Sequence, residues 1–215
     1  MKLHLGCGET YLDGYVNIDF PLEAHSVQRT TKADLCVDLL SLRYPANSIE
    51  EVRLRHVFEH FTRPVACALL AGWHRWLVPE GVLRLEVPDL ERTAKKINSR
   101  FVPMARKLVG IRHLFGSHEA GWAAHYEGYT SATLSHLLKH FGFAVRSVTY
   151  NDWQGTYNIE VVAFKRIDVV DVNPEERARN YLRHYLLDES EVALLEVWMV
   201  AWHRQHERMS GDDEK

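Results

Sequence analysis

The sequence predicts an α/β fold in which helices cover a mostly parallel sheet, because short apolar runs alternate with helical patterns through most of its length. The chain has 215 residues, the size of one domain with an appendage. Apolar residues make up 46% and charged residues 26%, a globular composition that excludes collagen-like and low-complexity classes. A net charge of −3 gives no strong field for binding nucleic acid, so we do not expect that partner.

Strand and helix patterns alternate in the amino-terminal part of the chain. Leu69, Leu70 and Trp73 fall on one face of a helical pattern, which indicates a helix with one buried side. The segment 79–81 (Pro-Glu-Gly) predicts a turn before the next strand. The predicted strands are 3–5, 15–20, 34–39, 52–56 and 82–87, and the predicted helix is 64–77.

The segment 90–117 is basic and differs from the rest of the chain. It contains Pro103 and Gly110, and its apolar spacing suits one or two amphipathic helices. An insertion after the fifth strand would cover the sheet edge where ligands bind. We therefore predict a helical lid over about 90–124.

The remaining part of the main domain is predicted to contain one helix and a hairpin. Thr130 or Ser131 can cap a helix over 130–141, and a glycine then ends it. Alternating apolar residues predict a hairpin of strands 144–150 and 158–165. We place the end of this domain, residues 1–168, shortly after the hairpin.

The carboxyl-terminal segment 172–209 is predicted to be a helical extension of the domain. It carries an aromatic stripe that includes Trp198 and Trp202. Aromatic residues in such a stripe are normally buried, so the extension is expected either to pack back on the domain or to contact a second copy in a homodimer. Residues 210–215 are polar and predicted to be disordered.

The sequence has no pattern typical of a secreted or membrane protein. Its longest apolar stretch, 65–73, is too short to span a bilayer, and its start lacks the apolar region of a signal peptide. Cys7, Cys36 and Cys67 cannot all pair, and no C-x-x-C occurs. We therefore expect a soluble, cytoplasmic protein without a membrane partner.

The turn Gly6-Cys7-Gly8 directly after the first predicted strand is the most informative segment. Glycines there let the backbone turn sharply and let a ligand approach it closely, and the backbone N–H of Cys7 belongs to the same turn. Asp19 ends the second strand, where a carboxylate can accept hydrogen bonds from both hydroxyls of a ribose. Asp38 ends the third, where it can face an adenine edge. These strand ends meet at one sheet edge, which favours a nucleoside site over simple turns and solvated aspartates.

A dinucleotide does not fit this turn. The third glycine of G-x-G-x-x-G is replaced by Tyr11, and too few residues follow the turn to form a helix before the second strand. The acidic Glu9 also disfavours a pyrophosphate. We therefore expect a ligand that contains adenosine but no phosphate.

The chain resembles the class I S-adenosylmethionine-dependent methyltransferases, and among them the predicted bacterial enzymes with the pattern LxLGCG…GxVNID…HxxEH…VPDL. The resemblance implies a Rossmann-like seven-stranded sheet with an antiparallel last strand. It also implies S-adenosylmethionine as cofactor and a small molecule or glycan as acceptor, in the setting of polysaccharide biosynthesis. The matching segments are LHLGCGE (3–9), DGYVNID (13–19), DLCVDL (34–39), RHVFEHF (55–61), LVPEGVLRLEVPDL (77–90) and HYEGYTSATLSHLLKHFGF (125–143).

The resemblance places His56 against the methionyl part of the cofactor and Leu39 beside Asp38 in the pocket. The chain departs from the family in two respects, since its turn has two glycines instead of three and no residues precede the first strand to form a helix. The pocket is therefore expected to be open on one side, or closed by the tail or a partner. The expected cofactor-binding residues are Gly6, Cys7, Gly8, Asp19, Asp38, Leu39 and His56.

The string His56-Val57-Phe58-Glu59-His60 matches H-x-x-E-H, which supplies two zinc ligands and a base in inverted zinc peptidases. That chemistry requires both histidines on one helical face and a third ligand downstream. The string instead starts at a strand end, and no third ligand is identifiable, so we assign no metal ligands. A zinc hydrolase remains the less favoured alternative.

Candidates for the catalytic residues are His125, His60 and Glu59. Methyl transfer mainly requires positioning, and a base helps only when the acceptor is a hydroxyl or a protonated amine. The resemblance puts Glu59 and His60 near the acceptor, and we expect that acceptor to be an oxygen. Alternatively, His60 caps a turn and Glu59 pairs with Arg63. A further alternative for the whole chain is a non-catalytic interaction module of the same fold.

Overall fold

The computed structural model describes residues 1–24, 30–166 and 173–210, and its centre is a seven-stranded sheet in the order β3-β2-β1-β4-β5-β7-β6. Strand β7 is antiparallel to its neighbours β5 and β6, and the other pairs are parallel. The predicted mostly parallel sheet is confirmed. The strands are β1 Lys2–Leu5, β2 Val16–Asp19, β3 Leu35–Cys36, β4 Ile49–Arg55, β5 Leu77–Pro88, β6 Phe143–Trp153 and β7 Thr156–Lys165.

Six α-helices flank this sheet in the described residues. Helix α1 packs its apolar face on the sheet, and Trp73 and Trp76 are fully buried there. Thr130 caps α4 through a reciprocal hydrogen-bond pair with Thr133, as the sequence predicts. The helices are α1 Arg63–Trp76, α2 Leu90–Asn98, α3 Met104–Phe115, α4 Ser131–His140, α5 Pro174–Arg183 and α6 Val192–Ser210.

Strands β1 and β2 are neighbours and parallel, yet the chain connects them through 6–15 without a helix. Asn17 holds this short connection in place. Its side chain accepts a hydrogen bond from the Leu12 N–H (2.9 Å) and donates to the Leu12 carbonyl (3.1 Å). At ten residues, the connection is shorter than the dozen or more that a parallel crossover usually needs.

Two predicted boundaries were wrong. Residues 79–81 lie within β5, where Ile49 pairs with Leu77 and Glu51 with Val82, so the extra residues of β5 form a bulge. Strand β3 is shorter than predicted, because Asp38 starts a 3₁₀ turn instead of continuing the strand.

The predicted lid region contains α2 and α3, which pack on each other and against β7. The segment between α3 and α4 then returns across the sheet edge. This segment, rather than α2 or α3, contributes Glu119 and Trp122 to the cavity described below.

The carboxyl-terminal helices pack back on the domain. Trp202 and Leu195 of α6 are buried in the common core, and a side chain at Gly72 of α1 would collide with Met209. Gln205 donates a hydrogen bond to the Leu40 carbonyl (2.9 Å). Trp202 is thus covered by its own chain.

The predicted boundary at 168–172 and most of the predicted disordered tail, 211–215, lie outside the described residues. Ser210 is the last residue of α6. Among the helices that the structure describes, none is long and apolar enough to cross a bilayer.

Candidate functional site

A cavity of about 770 Å³ opens at the carboxyl ends of β1, β2 and β4. This volume is typical of small-molecule sites, which span about 300–1,000 Å³. The lining is mostly apolar with a few carboxylates and two histidines. The lining residues are Gly6, Gly8, Glu9, Ile18, Asp19, Phe20, Val37, Asp38, Leu39, Leu40, His56, Val57, His60, Phe61, Glu119 and Trp122.

The glycine turn forms one wall of this cavity. Gly6 and Gly8 have φ angles of +68° and +55°, which side-chain-bearing residues rarely adopt. A Cβ on Gly6 would collide with the side chain of Val57, whereas a Cβ on Gly8 would meet nothing within 4 Å. Gly6 is therefore needed for packing, and the space beside Gly8 is open to a ligand.

The N–H groups of Gly6, Cys7 and Gly8 all donate hydrogen bonds to other parts of the protein. Those of Gly6 and Cys7 donate to the Ile18 carbonyl (2.8 and 3.1 Å), and that of Gly8 donates to Asp19 Oδ2 (2.9 Å). A phosphate site needs such groups to point at the ligand. In this turn, the N–H groups of Gly6, Cys7 and Gly8 donate within the protein instead.

Asp19 lies at the end of β2 and lines the cavity. Its Oδ2 accepts hydrogen bonds from the Gly8 N–H and from Thr31 Oγ1 (3.3 Å), and its Oδ1 accepts one from the Phe20 N–H (2.8 Å). A carboxylate offers about four acceptor positions on its two oxygens. The protein thus fixes the orientation of this carboxylate at the cavity wall.

Asp38 and Leu39 also line the cavity, but Cys7 does not. Asp38 Oδ1 accepts a hydrogen bond from the Leu40 N–H (2.9 Å) and caps the 3₁₀ turn Leu39–Ser41. The side chain of Cys7 is buried, and burial, followed by the charge of Asp19, raises the pKa of its thiol to about 11. Cys7 therefore has a structural place behind the turn.

His56 follows β4 and has an unusual φ of +53°. Its Nδ1 lies 3.4 Å from Glu59 Oε1 and its Nε2 lies 3.4 Å from Glu86 Oε1. Burial opposes a charged ring, but hydrogen bonding and the charges of the two carboxylates outweigh burial and raise the pKa of His56 to about 9. His56 is thus positively charged at neutral pH and faces the cavity.

Glu59, His60 and His125 form a cluster behind this wall. One nitrogen or oxygen of each lies within 4.8 Å of the others, although His125 is far away in the sequence. Backbone groups on either side of His125 bring the cluster together. The Ala124 carbonyl lies 3.2 Å from His60 Nδ1, and the Tyr126 N–H donates to the Glu59 carbonyl (2.9 Å). The rings of His60 and His125 meet edge to face at 4.6 Å.

The electrostatics of this cluster depend on burial. The Glu59 side chain is 1% exposed, and within the described part of the chain neither of its oxygens accepts a hydrogen bond of normal geometry. Burial raises the pKa of Glu59, but its contact with His56 and the charge of that ring outweigh burial, so the net direction is downward. Burial lowers the pKa of His125 to about 4, so His125 is neutral at neutral pH.

The helical arrangement required for the zinc-peptidase alternative is not formed. Residues 58–60 make a single 3₁₀ turn, and the positive φ of His56 directs it away from the helical position that would pair it with His60. The alternative pairing of Glu59 with Arg63 is also absent among the described contacts, because Arg63 pairs with Glu127.

Sequence reasoning missed several cavity residues. Phe20 and Trp122 line it with their rings 6.4 Å apart, and Glu86 holds His56 from the neighbouring strand. Phe20 directly follows Asp19 and could have been included from its position. Trp122 lies in a loop without a distinctive pattern, and its place depends on the path of the chain.

Solved structures that align with this fold include S-adenosylmethionine-dependent methyltransferases. One from Methanosarcina mazei aligns at 15% identity over 78% of this chain and 92% of its own, with a TM-score of 0.50. One from Mesorhizobium loti aligns at 15% identity over 76% and 89%, with a TM-score of 0.50. The Burkholderia thailandensis 1,6-didemethyltoxoflavin-N1-methyltransferase, with 1,6-didemethyltoxoflavin and S-adenosylhomocysteine bound, aligns at 15% identity over 77% and 70%, with a TM-score of 0.50.

The chain has the Rossmann-like methyltransferase fold. No protein-family model matches it, and no curated protein matches it in sequence. At this level of identity the likeness establishes the architecture, and the chemistry has to be argued from the site.

Proposed function

We propose that this protein is an S-adenosylmethionine-dependent methyltransferase that acts on an oxygen of a small-molecule or glycan acceptor. The observation that carries the proposal is the pairing of Asp19, fixed at the end of β2, with open space beside Gly8. A carboxylate in this position suits the two hydroxyls of a ribose. The fold of the structural neighbours supports the same cofactor.

The cavity residues fit the parts of this cofactor. Asp19 would hold the ribose, and the apolar side chains of Phe20, Val37 and Leu39 would pack against the adenine, with Asp38 at the same rim. The positive charge of His56 is complementary to the carboxylate of the methionyl group. No side chain of the described residues fills the space beside Gly8, which favours a binding site over a non-catalytic module.

When bound, the cofactor would supply a methyl group on a sulfonium; its C–S bond would break as a C–O bond formed, leaving the thioether S-adenosylhomocysteine, and the acceptor's proton would pass to solvent. The protein's part is to orient the acceptor and to exclude water. His60 lines the cavity, with Glu59 and His125 behind it. We place the acceptor at this end.

The class of the acceptor, the cellular location of the protein and its assembly with a second copy are part of the same proposal. The sequence resemblance favours glycans and polysaccharide biosynthesis. The free cysteines Cys7, Cys36 and Cys67 suit the reducing cytoplasm. The exposed Val197 and Val200 of α6 offer a surface for a second copy, now that Trp202 is covered.

Calorimetric titration of the full chain with S-adenosylhomocysteine tests the cofactor. We expect one binding event, accompanied by a rise in melting temperature. No heat and no thermal shift at millimolar ligand would overturn the proposal. A panel of hydroxyl-bearing and amine-bearing glycans, assayed with methyl-labelled cofactor, then tests the acceptor, and labelling of amines but not hydroxyls would contradict oxygen as the target.

A further inference from the structure

We propose that Glu59, His60 and His125 bind a divalent transition-metal ion at the acceptor end of the cavity. The binding of the ion follows from these residues alone. Its role as an anchor for the acceptor oxygen rests on the proposed function.

The first support is the state of Glu59. Its carboxylate is 1% exposed, and neither oxygen accepts a hydrogen bond of normal geometry from the described residues. A buried carboxylate without such partners is costly, because water is lost and only partly replaced. The ion pair with His56 spans 3.4 Å and leaves the rest of the carboxylate unsatisfied. A metal ion would supply the missing partner.

The second support is the orientation of the two histidines. His60 Nδ1 lies 3.2 Å from the Ala124 carbonyl, to which it can donate, so Nε2 is the nitrogen left to face a metal ion. A metal-bound histidine is usually held in this manner by a backbone carbonyl on its other nitrogen. For His125, Nε2 is the nitrogen on the side of Glu59, 4.0 Å from Oε1.

The third support is the ligand set and its spacing. Two histidines and one glutamate form a known ligand set for Zn²⁺, and such a set leaves a position open for water or substrate. The three ligand atoms lie within 4.8 Å of one another, and tetrahedral bonds of about 2.0–2.2 Å would bring them to roughly 3.4 Å. Small rotations of side chains can make up this difference. His60 also lines the cavity, so the open position faces the ligand space.

This set differs from the helical H-x-x-E-H arrangement. His56 is excluded because both of its ring nitrogens already face carboxylates, Glu59 and Glu86, at 3.4 Å. The ligand that the sequence did not reveal is His125, which the segment between α3 and α4 brings to Glu59.

The test uses the full chain after removal of metal by a chelator. Titration with Zn²⁺ is expected to show one ion bound per chain, and Co²⁺ is expected to give the visible absorption of a low-coordinate nitrogen-oxygen site. Glu59→Gln and His125→Asn should each weaken Zn²⁺ binding by at least about 100-fold, more than the loss of an outer partner. His203→Asn, on α6 and outside the cavity, is the matched control and should bind as the wild type does.

Circular dichroism establishes that each variant is folded. If Glu59→Gln does not fold, His125→Asn and the Co²⁺ spectrum of the wild type decide the question. Absence of Zn²⁺ and Co²⁺ binding by the wild type, or equal binding by His125→Asn, would overturn the metal site. Binding of S-adenosylhomocysteine to the metal-free chain is measured separately, so a failure of the metal site leaves the cofactor result standing.

Discussion

The two walls of the cavity, the glycine turn and the histidine wall of Glu59, His60 and His125, differ in whether their polar groups have hydrogen-bond partners. At the glycine turn, the N–H groups of Gly6, Cys7 and Gly8 and the carboxylate of Asp19 are tied to one another or to the sheet. At the histidine wall, buried Glu59 has no hydrogen bond of normal geometry within the described chain, and the rings of His60 and His125 lie beside it.

The difference shows how each wall can bind a ligand. A wall with satisfied groups offers shape and a fixed acceptor, which suits an uncharged nucleoside. A wall with an unsatisfied buried carboxylate is stabilised when a cation or a hydrogen-bond donor binds to that carboxylate. The same cavity can therefore hold a cofactor by shape on one side and a reactive group by charge on the other.

The largest expected effect comes from breaking the packing of the first wall. Gly6→Ala adds a Cβ that collides with Val57 at a φ of +68°. We expect a loss of about 4 kcal/mol of stability, from left-handed strain and overpacking together, and loss of binding of S-adenosylhomocysteine. Denaturant unfolding and calorimetry measure the two effects.

Gly8→Ala is the matched control for Gly6→Ala. Its φ is similarly positive, but its Cβ would meet no atom within 4 Å, so only the strain of about 1–2 kcal/mol is expected. A Val57→Ala change should partly restore Gly6→Ala. Equal losses for the two glycines would show that Val57 does not matter.

The sequence predicted most of the fold because the relevant signals are local. The run Leu3-His4-Leu5 before Gly6, and Asp19 at the end of β2, are contiguous patterns with one physical explanation each. The bulge in β5 was not predictable, because a Pro-Glu-Gly segment forms either a turn or a bulge depending on the partner strand.

The site was only partly predictable for a related reason. Asp19 ends β2 and His56 follows β4, the two strands on either side of β1, so parallel topology brings them to the same sheet edge. The contact of His125 with Glu59 depends on how the chain returns from α3, which no pattern in 116–124 reveals. The predicted residues are near one another, but their grouping into a satisfied and an unsatisfied wall needed side-chain geometry.

A partly buried histidine outside the cavity, His74, provides a comparison with the cluster. His74 of α1 packs edge to face on Phe143, and burial, then the charges of Lys165 and Arg177, lower its pKa to about 4. The unfolded chain takes up this proton near pH 6.5, so stability present above that pH is lost as the pH falls toward 4. The loss should be roughly 3 kcal/mol.

His74→Gln should remove this part of the acid dependence, and His203→Gln should not. Urea unfolding at pH 7 and pH 4 measures the difference. Binding of Zn²⁺ should be unchanged in His74→Gln, because His74 is not one of the proposed metal ligands. Identical acid slopes for the wild type and His74→Gln would contradict the assignment.

A smaller effect is expected from Asp19. Asp19→Ala removes the acceptor proposed for the ribose and the partner of the Gly8 N–H, and should weaken binding of S-adenosylhomocysteine by about 2 kcal/mol, roughly 30-fold. Asp19→Asn keeps an oxygen for Gly8 and should lose less. Unchanged affinity in Asp19→Ala would remove this residue from the site.

The smallest effect distinguishes two roles of Asp38. Its Oδ1 caps the turn at the Leu40 N–H, so Asp38→Ala should cost about 1 kcal/mol of stability, and Asp38→Asn should retain the cap. If Asp38 only caps, Asp38→Asn will bind S-adenosylhomocysteine as the wild type does. A tenfold weaker affinity with unchanged stability would instead show that the carboxylate contacts the adenine, and the first wall would then hold its ligand by charge as well as by shape.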